Sequence, residues 1–159
     1  MNQALSNEIV RAFHPLAERF DIQVRSRQDE AQRSEVVLAN ETTALVVTVD
    51  WIELRPFVRV CRLHGRTLPI EPLFVDDSST LDCFDVDTLF VYRKAVPSPV
   101  GKTLPTRSDA AAVALVEEYV FALQNFASDV LGGDFSVFPA LEAIVKKRAR
   151  VLNVRRQQE

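Results

Sequence analysis

The sequence is poor in the residues on which most enzyme sites depend, with four glycines, two histidines and two cysteines among 159 residues. It has no G-x-G-x-x-G pattern, and its nearest approach to a phosphate-binding loop is Gly101-Lys102-Thr103. That motif needs a further glycine at the position of Val96, and without it the backbone cannot wrap phosphates in the usual way. We therefore predict that the protein uses no nucleotide and no other cofactor.

The scarcity of histidine and cysteine also limits nucleophilic catalysis. Cys61 and His64 are the nearest candidates for a nucleophile and a base, but on a predicted strand positions three apart point to opposite faces. His14 has no second histidine or cysteine nearby, which favours a structural role. Cys61 and Cys83 match no zinc or redox spacing, so we expect two reduced core cysteines in a cytosolic protein. We predict no catalytic residue.

No apolar run approaches the roughly 20 residues of a membrane-spanning helix. The first residues lack the basic and apolar regions of a signal peptide, so we expect a cytoplasmic protein without membrane contact. Apolar residues make up 47% of the chain and charged residues 26%, a balance typical of a globular protein rather than a disordered one. We predict a single domain over residues 1–159.

The net charge of −3 conceals two segments of opposite sign. Residues 67–92, the acidic segment, contain no lysine or arginine but carry Glu71, Asp76, Asp77, Asp82, Asp85 and Asp87. Residues 144–157, the basic tail, contain no acid but carry Lys146, Lys147, Arg148, Arg150, Arg155 and Arg156. Three interpretations are open: the two segments neutralise each other, they cover separate solvated faces, or the acidic segment binds a basic partner.

The six carboxylates of the acidic segment form our candidate partner-binding site, with Phe74, Leu81 and Phe84 among them as candidate apolar anchors. Such a surface suits rapid, salt-sensitive recognition of a basic protein. The segment lacks the further oxygen ligands that a divalent cation needs, so we predict no metal site. The basic tail has no interleaved aromatic residues and the pI is near 5.5, so we predict no nucleic-acid binding.

The first half of the chain predicts one helix followed by an antiparallel meander. Apolar residues at spacings of three and four indicate a helix over 3–20, which Pro15 should kink near His14. Alternating apolar and polar residues then predict strands over 21–27, 34–39, 42–53 and 57–63.

The segment 81–95 is ambiguous between strand and helix. Alternate apolar side chains at positions 84, 86, 90 and 92 favour a strand for its second half, and we adopt that interpretation. Residues 95–107 contain three prolines and predict a connecting loop.

The C-terminal third predicts a helix, a sharp stop and a second helix. Ser108 can cap a helix that runs to residue 131, and Gly132 and Gly133 should end it. A second helix is predicted over 140–153, with Pro139 tolerated in its first turn and Asp134 or Ser136 as its cap. The predicted fold is α+β: an antiparallel sheet of about four to five strands covered by an N-terminal helix and two C-terminal helices.

Two phenylalanines, Phe135 and Phe138, lie at the corner between these two helices. We interpret them as plugs for one end of the sheet core. The alternative interpretation is an exposed corner that docks a partner.

The stretch 129–139 (Asp-Val-Leu-Gly-Gly-Asp-Phe-Ser-Val-Phe-Pro), followed by Leu141 and Arg148, resembles the C-terminal signature of small uncharacterised bacterial proteins. This resemblance covers about a quarter of the chain and implies no activity. In its size, acidity and predicted fold the chain also resembles, in type, the immunity proteins that neutralise bacterial polymorphic toxins. That resemblance implies a cytoplasmic protein that binds one cognate toxin and catalyses no reaction.

Three hypotheses about function follow. The first is a non-enzymatic binding protein, specifically an immunity protein that occludes a basic toxin domain through residues 71–87. The second is an acidic secretion chaperone acting as a homodimer with a large apolar groove. The third is a small-molecule-binding protein or enzyme, which requires a deep pocket with converging polar groups.

Overall fold

A computed structural model describes residues 3–30, 33–50, 52, 54–95 and 108–156. Residues 51 and 53 of the predicted strand over 42–53, the Gly101-Lys102-Thr103 motif, and all of the predicted loop over 95–107 except Ala95 therefore lie outside the described residues. Within the described part of the chain, no helix is both long and apolar enough to cross a membrane.

The predicted meander is confirmed, and a fifth strand extends it. The strands are β1 (Gln23–Asp29), β2 (Arg33–Ala39), β3 (Thr43–Asp50), β4 (Pro56–Arg62) and β5 (Cys83–Asp85). They pair antiparallel in the order β1-β2-β3-β4-β5, which places β1 and β5 at the two edges of the sheet.

The two faces of the sheet bury different side chains because neighbouring residues of a strand point to opposite sides. One face contributes to the main core and is covered by the helices; its residues include Val36, Leu38, Leu45, Val47, Val49, Val58, Val60 and Phe84. The opposite face carries a smaller cluster of short side chains, namely Val37, Ala39, Ala44, Val46 and Cys61. The central strands are thus buried on both faces.

The predicted N-terminal helix is present and is interrupted near His14, as expected from Pro15. It divides into α1 (Gln3–Ala12) and α2 (His14–Phe20) at Phe13, and Pro15 lies in the first turn of α2. Leu5, Ile9 and Leu16 of these helices are fully buried in the main core. The helix pattern in the sequence therefore identified the correct buried face.

The prediction of a strand for the second half of 81–95 is wrong. Only Cys83–Asp85 forms a strand, and Val86–Tyr92 is a helix, α3. Val86, Leu89 and Phe90 are spaced for one face of a helix, and all three are fully buried. Apolar residues of this segment also recur with a period of two, but burial of Val86, Leu89 and Phe90 in the main core selects the helix.

The C-terminal helices are α4 (Asp109–Phe126), the short α5 (Ser128–Leu131) and α6 (Phe138–Arg156). The Ser108 side chain accepts a hydrogen bond from the Ala111 amide, which confirms the predicted N-cap. The predicted single helix to residue 131 is broken at Ala127, whose backbone is not helical. Pro139 lies in the first turn of α6, as predicted.

Of the two glycines at the corner, only Gly133 has a backbone conformation that favours glycine. Its φ is +96°, whereas Gly132 has an ordinary φ of −80°. A Cβ atom on Gly133 would lie 2.9 Å from Oγ1 of Thr42. Gly133 therefore permits a close approach between the corner and the β2–β3 turn.

The corner is anchored to the sheet by hydrogen bonds and by aromatic packing. The Thr43 hydroxyl donates to the Val130 carbonyl at 2.9 Å. The ring of buried Phe138 packs edge-on against Phe84 at 4.8 Å and against Phe135 at 4.9 Å. This arrangement confirms that the two phenylalanines of the corner belong to the core.

Candidate partner-binding site

A cavity of about 380 Å³ lies beside β5, the last strand of the sheet. Three parts of the chain line it: the stretch from Thr80 to Asp85, the preceding loop with Ile70 and Glu71, and Val145 and Arg148 of α6. Arg59 of β4 completes the charged lining. The cavity thus brings together three of the predicted site residues, Glu71, Asp82 and Asp85, with two arginines.

The loop before β5 exposes an unusual set of large apolar side chains. Ile70 is 98% exposed, Leu73 95% and Phe74 77%. We call residues 68–75 the apolar loop. Of the three anchors predicted from sequence, Phe74 is accessible, but the predictions for Leu81 and Phe84 are wrong because both side chains are buried in the core.

Glu71 and Asp82 each pair with a basic side chain of the protein. Glu71 accepts a hydrogen bond from the Arg59 guanidinium, which also lies 3.8 Å from Glu35. Asp82 lies 2.8 Å from the His64 imidazole. Both carboxylates line the cavity, and both are already bonded within the protein.

Asp76 and Asp77 lie in the turn that follows the apolar loop. The hydroxyls of Ser78 and Ser79 donate to the Asp76 carboxylate, and the Ser78 hydroxyl has the largest effect in lowering its pKa. The Asp77 carboxylate pairs with Arg150 of α6 at 2.6 Å. For Asp77, this ion pair supports the interpretation that the acidic segment and the basic tail neutralise each other.

Asp87 lies apart from the other five carboxylates. It is in the first turn of α3, and its carboxylate accepts a hydrogen bond of 3.0 Å from the Tyr119 hydroxyl of α4. Burial raises the pKa of Tyr119 well above its usual range, and the charge of Asp87 adds to this effect. Asp87 thus joins two helices and does not line the cavity.

Asp85 differs from the other five because no ion pair or hydrogen bond to its carboxylate is found among the described residues. Its side chain is accessible. The low-dielectric surroundings raise its pKa, Arg59 opposes this shift, and the charge of Glu71 reinforces it. Arg148 also faces Asp85 and donates to the Thr88 hydroxyl at 3.1 Å. Asp85 is therefore the carboxylate best placed to meet a ligand.

Two arginines of the cavity, Arg59 and Arg148, were not among the predicted site residues. Arg59 stands on a strand and Arg148 on a helix far along the chain, and only tertiary folding brings them to Asp85. The apolar loop could have been recognised in the sequence, because its apolar residues are interspersed with Pro69 and Pro72, which disfavour a regular helix or strand.

The expectation of reduced cysteines is wrong. Cys61 of β4 and Cys83 of β5 are directly opposite each other in the sheet and form a disulfide. The disulfide joins the edge strand to the central sheet at the cavity. Because disulfides persist mainly in oxidising compartments, the cysteine-based reason for expecting a cytosolic protein no longer applies.

Within the described residues, no group of three or more histidine, cysteine, aspartate or glutamate side chains is arranged to hold a metal ion. The carboxylates of the acidic segment instead bond to arginine, histidine or hydroxyl groups of the protein, apart from Asp85. The lining of the cavity is therefore suited to recognising a polar or charged group.

Comparisons of the chain with protein families, with curated proteins and with solved structures find no match. The apolar loop, the cavity and their charges are therefore the features that bear on function.

Proposed function

We propose that this protein binds another protein through the apolar loop and the carboxylates beside it, and that it does so without catalysing a reaction. The exposure of Ile70, Leu73 and Phe74 within five residues is the observation that carries the proposal. Single exposed apolar side chains are common on proteins, but a group of large ones on one loop is typical of a docking surface.

Burial of these apolar side chains in an interface would stabilise the complex. Each Å² of apolar surface removed from water contributes about 25 cal/mol, so a large side chain that becomes fully buried contributes about 1.5–3 kcal/mol. Prolines at positions 69 and 72 restrict the free loop, which lowers the entropy lost when it is held by a partner.

The charges around the loop favour a partner with a basic surface. Asp76 follows the apolar side chains and bonds to serine groups rather than to a basic side chain, and the nearby cavity has one more carboxylate than guanidinium in its lining. Basic groups would accelerate association in a salt-dependent way. The specific form of our proposal is an immunity protein that covers a basic toxin domain.

The test compares two pairs of exposed apolar residues. Leu73→Ser with Phe74→Ser should weaken binding to the protein encoded by the neighbouring gene by about 100-fold, because two anchors are lost. Val151→Ser with Leu152→Ser, on the exposed end of α6, is the matched control and should leave the affinity unchanged. Calorimetry measures both, and co-expression shows whether the protein relieves toxicity of that neighbour.

A neighbouring gene product that does not bind, or that binds the loop variant as tightly as the unaltered protein, would contradict the proposal. Equal weakening by the two variant pairs would also count against it, since the effect would then not be specific to the apolar loop.

A second candidate function, an acidic secretion chaperone acting as a homodimer, is favoured by one observation. A groove of about 700 Å³ on α4 is lined by Ala114, Phe121 and Phe126, and Phe121 is exposed. This candidate requires a dimer in solution.

A further inference from the structure

The outer side of β5 is an open sheet edge that adjoins the cavity. β5 is the last strand in the sheet order, and no described strand pairs with its outer side. Such an edge presents backbone N–H and C=O groups that can pair with another chain. Which of these groups face outward follows from the register between β4 and β5.

The register shows that Cys83 and Asp85 direct their backbone groups away from β4. The Arg62 amide donates to the Asp82 carbonyl at 2.7 Å, so the groups of Asp82 face β4. The Cα atoms of Cys61 and Cys83 lie 4.1 Å apart, near the roughly 4.5 Å of a pair that does not exchange backbone hydrogen bonds. Because the direction alternates along a strand, both backbone groups of Cys83 and the amide of Asp85 face the open edge, whereas the Asp85 carbonyl, at the N-cap of α3, serves the first turn of that helix.

At Leu81 the same edge is covered by α6. It has the same orientation as Cys83 and Asp85, and its amide donates to the Glu142 carboxylate of α6 at 3.0 Å. A bond from Lys146 and this amide lower the pKa of Glu142, so the carboxylate is held in its charged form. The protein thus satisfies the edge at Leu81, while Cys83 and Asp85 line the cavity.

The side chain at the end of this edge adds a preference for charge. The Asp85 carboxylate is accessible and without an ion-pair partner among the described residues. Arg59, opposite Asp85 in the sheet, already contacts Glu71 and lies 3.8 Å from Glu35, and Arg148, which also faces Asp85, donates to the Thr88 hydroxyl. In the cavity lining, three carboxylates face two guanidinium groups, so a basic group bound against Asp85 would balance the charges.

We infer that β5 takes one extended segment of a protein partner as an added strand, with a basic side chain of that segment against Asp85. Backbone hydrogen bonds to the amide and carbonyl of Cys83 and to the amide of Asp85 hold the segment, and the cavity receives its side chains. The inference rests on the proposed function, since it names the part of a protein partner that enters this site. The apolar loop then contacts the same partner beside the added strand.

The experiment selects random short peptides displayed on phage against the full chain. The enriched peptides should share an arginine or lysine, and in the labelled protein they should shift the amide resonances of Cys83 and Asp85. Asp85→Asn should weaken their binding by about fivefold, the upper end of the effect of losing one exposed charge pair. Asp109→Asn is the matched control, because this exposed aspartate lies in the first turn of α4 and does not line the cavity, and it should change little.

A second arm tests the backbone pairing. Methylation of alternate backbone amides in an enriched peptide removes the hydrogen bonds of an added strand and should abolish binding, while methylation of the other amides should not. Failure to enrich any peptide, equal binding to Asp85→Asn, or indifference to methylation would each overturn the inference.

Light scattering separates a partner segment from a second copy of this chain. A dimer that depends on concentration and shifts the same amide resonances would overturn the inference in favour of self-association. The outcome is also distinct from that of the proposed function. Peptides that bind at β5 while the loop variants keep full partner affinity would refute the loop alone, and the reverse result would refute the strand addition alone.

Discussion

The corner between α4 and α6 and the edge at β5 both carry aspartates, and the two regions hold them in opposite ways. At the corner, Asp129 accepts two hydrogen bonds from the Arg93 guanidinium, at 2.6 and 2.7 Å. The bond from Arg93 lowers the pKa of Asp129. At the edge, Asp85 has no such partner among the described residues, and its low-dielectric surroundings raise its pKa.

The charge of Asp129 therefore stabilises the fold, whereas the charge of Asp85 destabilises it. Arg93 also bonds to the Phe126 carbonyl, so the Asp129 pair helps to hold the break between α4 and α5. Asp85 makes no comparable bond to any residue that the structure describes, and its raised pKa means that its ionisation is less favourable in the folded protein than in the unfolded chain. A residue that weakens the fold and lines a cavity is more readily explained by binding than by stability.

The largest expected effect distinguishes a buried phenylalanine of the corner from an exposed one beside the edge. Phe138→Ala should lower the free energy of unfolding by about 3–5 kcal/mol, because it leaves a cavity against Phe84 and Phe135. Phe74→Ala should change it by less than about 0.5 kcal/mol, because that ring is exposed. Denaturant unfolding measures both, and similar losses in the two variants would contradict the comparison.

The next effect concerns the disulfide that fixes the edge. Replacing Cys61 and Cys83 by alanine should lower the free energy of unfolding by about 2–4 kcal/mol, since the closed loop is 22 residues long. Hydrogen exchange should accelerate most at β5, and the unaltered protein under reducing conditions should behave like the variant. A protein whose stability is the same oxidised and reduced would refute the expected role of the bond.

Much of the fold could be predicted because its information is local. The alternation in β3 assigns Leu45, Val47 and Val49 to one face, and the structure places all three in the main core. Ser108 and Pro139 marked the starts of helices through chemistry that acts within a few residues. The antiparallel order then follows from short turns between successive strands.

The site could not be predicted to the same degree because its contacts are distant in sequence. Asp77 pairs with Arg150, 73 residues away, and no local pattern distinguishes this carboxylate from Asp85. The disulfide depended on β5, a strand of three residues that sequence periodicity did not resolve from the helix after it. The sequence placed the six carboxylates in one segment, but which of them bonds to another side chain was decided by tertiary structure.

The smallest effect, and the most direct comparison of the two regions, is the pH dependence of stability in two Asp→Asn variants. Asp129 has a lowered pKa in the folded protein, so its ionisation stabilises the fold above the ordinary value of 3.8 and this contribution is lost as the pH falls through the lowered pKa. Asp129→Asn should therefore lower the free energy of unfolding at pH 7 by about 1 kcal/mol, as for a partly exposed ion pair.

Asp85→Asn should act in the opposite direction. The folded protein binds the proton of Asp85 more tightly than the unfolded chain, so stability is lost as the pH rises from 3.8 through the raised pKa. Removing the carboxylate should raise the free energy of unfolding at pH 7, and the gain should vanish below that window, where both states are protonated. Denaturant unfolding across this range measures both variants. Shifts of the same sign would mean that Asp85 supports the fold as Asp129 does, and the case for a binding role of Asp85 would then lose its energetic basis.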